Sequence, residues 1–296
     1  MHKYLRAIGF SKLKSRKQII ELISIVVNNA DERLYTSLDQ DDIMLAEYNM
    51  FCGENMGICV RGEYDENNRF LMDYYVPFFR GNRISSYADI SVERHAEKES
   101  YAGVCDEIKV GVSLIFYLQN IIAYLKRKNA NRLPAAETSL SLGALSTQGK
   151  IIMPIYKNER DVRRTKKMSK DRNRLIAQAR KGDEDAIENL TLDDMDTYTN
   201  IARMIVKEDV LSLVDTYFMP YGVECDQYTI LGEIMDISKV RNPLTKEEIW
   251  QMTISCNDLI MDLCINSQDL YGEPEIGRRF KGTIWLQGSI HFPDEM

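Results

Sequence analysis

Only three histidines occur in the 296 residues, His2, His95 and His291, and the six cysteines include no C-x-x-C pair. A structural zinc site wants closely spaced thiolates, usually with imidazole, so none is expected. Six scattered cysteines do not make a secreted disulfide scaffold either, and they read as small buried hydrophobes in a reducing compartment. No glycine-rich loop joins a strand to a helix and no βαβ rhythm appears, which argues against nucleotide binding. Long apolar runs are missing. Val112–Leu125 contains Gln119 and Asn120 and is too short to span a bilayer. Ile19–Val27 is interrupted by Glu21 and leads to Asn28-Asn29 with no small-residue cleavage site. A cytoplasmic location with no membrane partner is therefore expected. Internal repeats and low-complexity tracts are absent, and no cofactor is implied.

What is present is an ordinary globular composition. Hydrophobic residues make up 44% and charged residues 28%, so wholesale disorder is not expected. The length accommodates two domains, each with its own core. A net charge of −7 disfavours non-specific contact with nucleic acid or an anionic membrane.

Ser15 followed by Lys17–Val27 has the form of a capped helix, with Ile19, Ile20, Ile23 and Val27 on one face. Strand patterns follow at Met44–Phe51, Gly57–Tyr64 and Phe70–Phe79. The last two are joined by the turn formers Asp65-Glu66-Asn67-Asn68. Tyr87–Glu97 reads as a further strand. Ile108–Lys128 is apolar nearly all round and ends in Lys126-Arg127-Lys128, which predicts one long buried helix whose basic end suits its dipole. Ser139–Leu145 and Lys150–Ile155 predict a hairpin turning at Gln148-Gly149. The fold class expected for residues 1–156 is thus α+β, an antiparallel sheet packed on a long buried helix.

Composition changes at Tyr156. Lys157–Lys181 holds eleven Lys or Arg against three acids, and Asp183–Asp196 then holds seven acids and no base. Gly182-Asp183 between them combines a helix stop with an N-cap, hence a helical hairpin. This hairpin resembles the opening helices of RNA-polymerase sigma factors. Residues 157–222 are read as a charged helical linker, with Val210–Phe218 ambiguous between helix and strand. The basic run has two readings, a solvated face or a seat for a polyanion such as nucleic acid, with Arg163, Arg164, Lys166 and Lys167 at its centre.

After Pro220-Tyr221-Gly222, four runs alternate in the period of a strand: Tyr228–Ile237, Ile249–Cys256, Leu259–Ile265 and Arg279–Ile290. Gly232, Gly277, Gly282 and Gly288 fall where a barrel bends, so residues 223–296 are expected to form a small OB-like β-barrel. On the second run Met252, Ile254 and Cys256 share one face, and Gln251, Thr253 and Ser255 the other. Single-stranded nucleic acid needs a basic groove with stacking aromatics. Only Trp250 and Trp285 offer platforms, and from Asp226 onward there are twelve acids against six bases. A protein partner is the stronger expectation for this module, with nucleic acid the alternative through the basic linker.

Two further constellations carry chemistry. A strand through Glu93-Arg94-His95-Ala96-Glu97 places Glu93, His95 and Glu97 on one face, either a divalent-metal seat or the solvated face of an edge strand. Cys105, read at the start of the buried helix, has the position of an activated thiol with His95 as its base, although Asp106 beside it opposes thiolate formation. With Tyr101 these residues mark the first place to look for a small-molecule or catalytic site.

Val92-Glu93-Arg94-His95, Ser100-Tyr101-Ala102-Gly103-Val104-Cys105-Asp106, Pro220-Tyr221-Gly222-Val223-Glu224-Cys225-Asp226 and Gly277-Arg278-Arg279-Phe280-Lys281-Gly282-Thr283-Ile284-Trp285-Leu286-Gln287-Gly288 together resemble a bacterial family of about this length, from Firmicutes, classed as a domain of unknown function. The resemblance spans the chain and implies a self-standing bacterial protein, but it supplies no activity, cofactor or site residue. The reading that follows is a non-enzymatic binding or interaction protein with an OB-like carboxyl-terminal module. The alternatives are a nucleic-acid-associated factor and an enzyme centred on His95, Cys105 and Asp106.

Overall fold

The computed structural model describes residues 2–37, 44–94, 100–110, 112–133, 138–154, 171–172, 174–179, 181–192, 214–222 and 226–293. Helix α1 spans Arg16–Asn28 and begins as the sequence requires, with Ser15 and Gln18 forming a reciprocal capping box. Strands β1 (Glu32–Ser37), β2 (Met44–Phe51), β3 (Met56–Tyr64) and β4 (Phe70–Phe79) follow as a four-stranded antiparallel sheet in chain order. The β3–β4 turn forms where expected, because the Asp65 carboxylate accepts the N–H groups of Asn67 and Arg69, at 2.9 and 2.8 Å.

The α+β expectation fails at the next segment. Ile108–Lys128 is not one helix. It divides into a 3-10 turn (Ile108–Val110), a strand and a short helix, and the molecule is mostly β. The strands here are β5 (Ile90–Arg94), β6 (Tyr101–Glu107) and β7 (Val112–Leu118), and helix α2 is only Ile121–Asn129. A run that is apolar at nearly every position has no clear period, so a largely buried strand reads like a buried helix. Leu114, Phe116 and Leu118 point into the core from one face of β7, while Tyr117 is buried on the other.

The expected hairpin at Gln148-Gly149 is also absent. Ser139–Ile152 is one continuous strand, β8, paired along its length with the last strand of the chain. Gly149 serves packing rather than turning: a Cβ there would lie 2.3 Å from the ring of Phe280. The remaining strands are β9 (Tyr217–Pro220), β10 (Gln227–Arg241), β11 (Glu248–Cys256), β12 (Leu259–Asn266), β13 (Leu270–Tyr271) and β14 (Arg279–His291). The β11–β12 hairpin turns on Asn257 and Asp258, both at positive φ, 51° and 64°, as a tight two-residue turn demands.

Five of these strands close into a ring. β10, β11 and β12 form an antiparallel meander, β8 lies parallel to β12, and β14 pairs antiparallel with both β8 and β10. This cyclic pairing is that of an OB barrel entered at a different point. Strands β10, β11, β12 and β14 stand for its first four strands, and β8, which precedes them in the chain, stands for the fifth. The barrel therefore draws its strands from both sides of residues 157–222. Arg279 ties the two flanks together, donating to the carbonyl of Met153 at 2.9 Å and that of Val214 at 2.8 Å. Within the charged segment, Asp183 caps residues 184–192 as expected, accepting the Ala186 N–H at 3.1 Å.

Two apolar cores result. One fills the barrel and continues under α2 (Tyr228, Ile230, Met252, Leu263, Phe280, Leu286, Leu142 and Leu125 among others). The second lies between the barrel's outer wall and an outer layer made by the 3-10 turn Lys3–Ile8, α1 and β1–β4. Arg61 of β3 crosses to the large sheet, bonding the Tyr117 hydroxyl at 2.6 Å and the Gln119 carbonyl at 2.7 Å. No helix among the described residues is long and apolar enough to cross a membrane.

Candidate functional site

β11 and β12 stand for the second and third strands of the OB ring, whose outer face is where such barrels bind ligands. Here the outer layer already covers part of that face. The 3-10 turn Lys3–Ile8 lies over β8 and β12, held by Asn242 Nδ2 to the Ile8 carbonyl at 2.8 Å and Asn266 Nδ2 to the Arg6 carbonyl at 3.2 Å. Ile249 and Cys264 are buried beneath it. Beside it lies a cleft of about 240 Å³ lined by Glu54, Asn82, Arg83, Asp236, Ser238, Gln251, Thr253 and Asp262, with Phe79, Ile237 and Met252 in its walls.

Alternation along the strands puts the polar groups there. Gln251 and Thr253 face outward from β11 while Met252 and Ile254 face the barrel interior. Across the ladder, Thr253 stands opposite Asp262 of β12. The Thr253 hydroxyl donates to Asp262 Oδ1 at 2.7 Å, and the Asn82 N–H donates to Oδ2 at 2.7 Å. Gln251 Nε2 bonds the Glu54 carbonyl at 2.7 Å and holds the β2–β3 turn against the barrel. At the mouth Arg83 pairs with Asp236 at 3.0 Å, both well exposed.

The sequence did not single out these residues. Its one legible sign was the polar face of Ile249–Cys256. On that face Gln251 and Thr253 are buried, because Glu54 and residues 79–83 come from distant parts of the chain to wall the cleft.

Neither tryptophan is an open platform. Trp285 is 6% exposed, stacked on Tyr4 at 5.2 Å between ring centroids, flanked by His2 and Tyr117, and bonded through Nε1 to Asp226 at 2.6 Å. Trp250 is half-buried against the barrel core with the Lys239 ammonium over its ring at 5.0 Å. Arg163, Arg164, Lys166 and Lys167 lie outside the described residues.

Of the described residues grouped around Cys105, Tyr101 shares its face of β6 and Asp106 does not. Tyr101 and Cys105 are buried, whereas Asp106 is exposed and bonded to Ser113. Cys105 sits mid-strand rather than at a helix start. Its Sγ is 3.7 Å from the Ser86 hydroxyl, and burial pushes the thiol up to about 11, away from nucleophilic ionisation at neutral pH. Glu93 is exposed on the edge strand β5, while His95 and Glu97 lie outside the described residues. Among the described residues no three His, Cys, Asp or Glu side chains form a group able to hold a metal. The five described cysteines are free and buried.

The family model of DUF3881, described as a domain of unknown function with an E. rectale gene description, matches residues 5–288, and the chain belongs to that family. No curated protein and no solved structure matches it.

Proposed function

We propose that this DUF3881 member is a binding protein whose scaffold is the closed barrel and whose ligand seat is the cleft over β11 and β12. The observation that carries the reading is position. The cleft occupies the part of the OB binding face that the outer layer leaves uncovered. Its size suits a small molecule rather than an oligonucleotide, which needs a long groove with exposed rings. Its walls come from β10, β11, β12, the β2–β3 turn and the segment after β4, so most of the seat is preformed on strands.

A thermal-shift screen of small metabolites tests this. A ligand of the cleft raises Tm in the native protein but not in Ser238→Trp, which fills the mouth from an exposed position and leaves the unliganded Tm unchanged. A ligand whose effect survives Ser238→Trp binds elsewhere and removes the proposal.

A further inference from the structure

Asp262 is 7% exposed, and its two partners, the Thr253 hydroxyl and the Asn82 N–H, are both neutral. No Lys, Arg or His of the described residues forms an ion pair with it; the nearby Arg83 pairs instead with Asp236. A carboxylate taken out of water loses its hydration, and neutral hydrogen bonds replace only part of it. Each oxygen carries two lone-pair sites and uses one, so accepting capacity remains. Asp262 lines the cleft, which also carries Glu54 and Asp236 against the single guanidinium of Arg83.

Resting on the reading of the cleft as a ligand seat, we propose that its ligand is a small organic cation bearing a primary ammonium or guanidinium group. Its charged head bonds Asp262 at the floor, and its tail reaches the mouth beside Asp236 and Glu54. A volume of about 240 Å³ leaves room for a short diamine or an aminoalkyl guanidine. An organic head fits better than a metal ion, because no group of three or more metal-ligating side chains is present among the described residues. Phosphates and carboxylates are disfavoured by the three acids of the lining. Because the attraction is between a cation and carboxylates partly open to solvent, its affinity falls with salt.

The test is amide NMR of the full chain titrated separately with putrescine, agmatine, glucose and inorganic phosphate. The expected result is that putrescine or agmatine shifts the amides of Asn82, Thr253 and Asp262. Asp262→Asn then weakens this binding at least tenfold and the exposed Asp236→Asn several-fold. Asp236→Asn keeps the test open if the buried variant does not fold. If glucose or phosphate shifts those amides while both cations leave them unmoved, the cation assignment is wrong and the cleft stands as a seat. If none of the four shifts them, the cation assignment is likewise overturned, and the seat itself is decided by the thermal-shift screen with Ser238→Trp. Cation binding that is indifferent to both substitutions also overturns the proposal.

Discussion

Arg61 and Glu47 face each other across β3 and β2, with Nε to Oε2 at 2.7 Å and both side chains shut off from solvent. Glu47 is further held by the Asn49 amide at 2.7 Å. The remaining guanidinium nitrogens bond the Tyr74 hydroxyl at 2.8 Å, the Tyr117 hydroxyl and the Gln119 carbonyl. This network joins the outer layer to the large sheet at a site where water cannot substitute.

Removing one charge should therefore cost more than removing both. Arg61→Ala leaves a buried, unpaired Glu47 and is expected to destabilise by about 3–5 kcal/mol. Arg61→Met combined with Glu47→Leu should recover most of that loss, since the desolvation penalty disappears with the pair. Urea unfolding of Arg61→Met, Glu47→Leu and the double variant measures the difference. Additive losses would show that the pair is not coupled.

Gly149 and Phe280 make a second test, this one of the ring closure. A methyl group at Gly149 meets the buried Phe280 ring at 2.3 Å, so Gly149→Ala should cost about 1–3 kcal/mol by overpacking. Phe280→Leu in the same chain should restore part of it. A hairpin turn at this position would instead tolerate alanine without needing that compensation, and denaturant midpoints separate the two.

The thiols set an alkaline limit. Burial raises Cys105 to about 11 and Cys52 and Cys256 to about 12, and Cys59 and Cys264 higher still. Because the folded values lie above the unfolded one, their stabilising contribution is complete below the ordinary thiol range of about 8.5. It is lost progressively as pH rises above that range. Tm should fall between pH 8 and pH 11, and less steeply in Cys105→Ala. The five buried thiols should also resist a thiol reagent at neutral pH until denaturant is added.

Any affinity for RNA or DNA is expected to reside in the basic segment rather than on the barrel. Reversing charge at Arg163, Arg164, Lys166 and Lys167 should abolish it and flatten its salt dependence. Trp250→Phe should leave it unchanged, because that ring is half-buried under Lys239. Filter binding at several salt concentrations reads both. A large loss on Trp250→Phe would return the barrel to the role of nucleic-acid platform.

Local chemistry was legible wherever the chain solves its own problem within a few residues. The Ser15 cap, the Asp65 turn and the Asp183 cap each follow from side chains reaching neighbouring backbone. Tertiary structure decided what depends on partners far away in sequence. Val112–Leu118 became a strand because β6 and β14 pair with it, partners its composition alone cannot reveal. Ser139–Ile152 became the fifth barrel stave because Arg279–His291, more than a hundred residues later, supplies its ladder. The cleft exists only where Asn82 and Glu54 meet Thr253 and Asp262, four residues with no common motif. Hydrogen-bonding and packing energies between such distant segments leave no periodic trace in the chain that forms them.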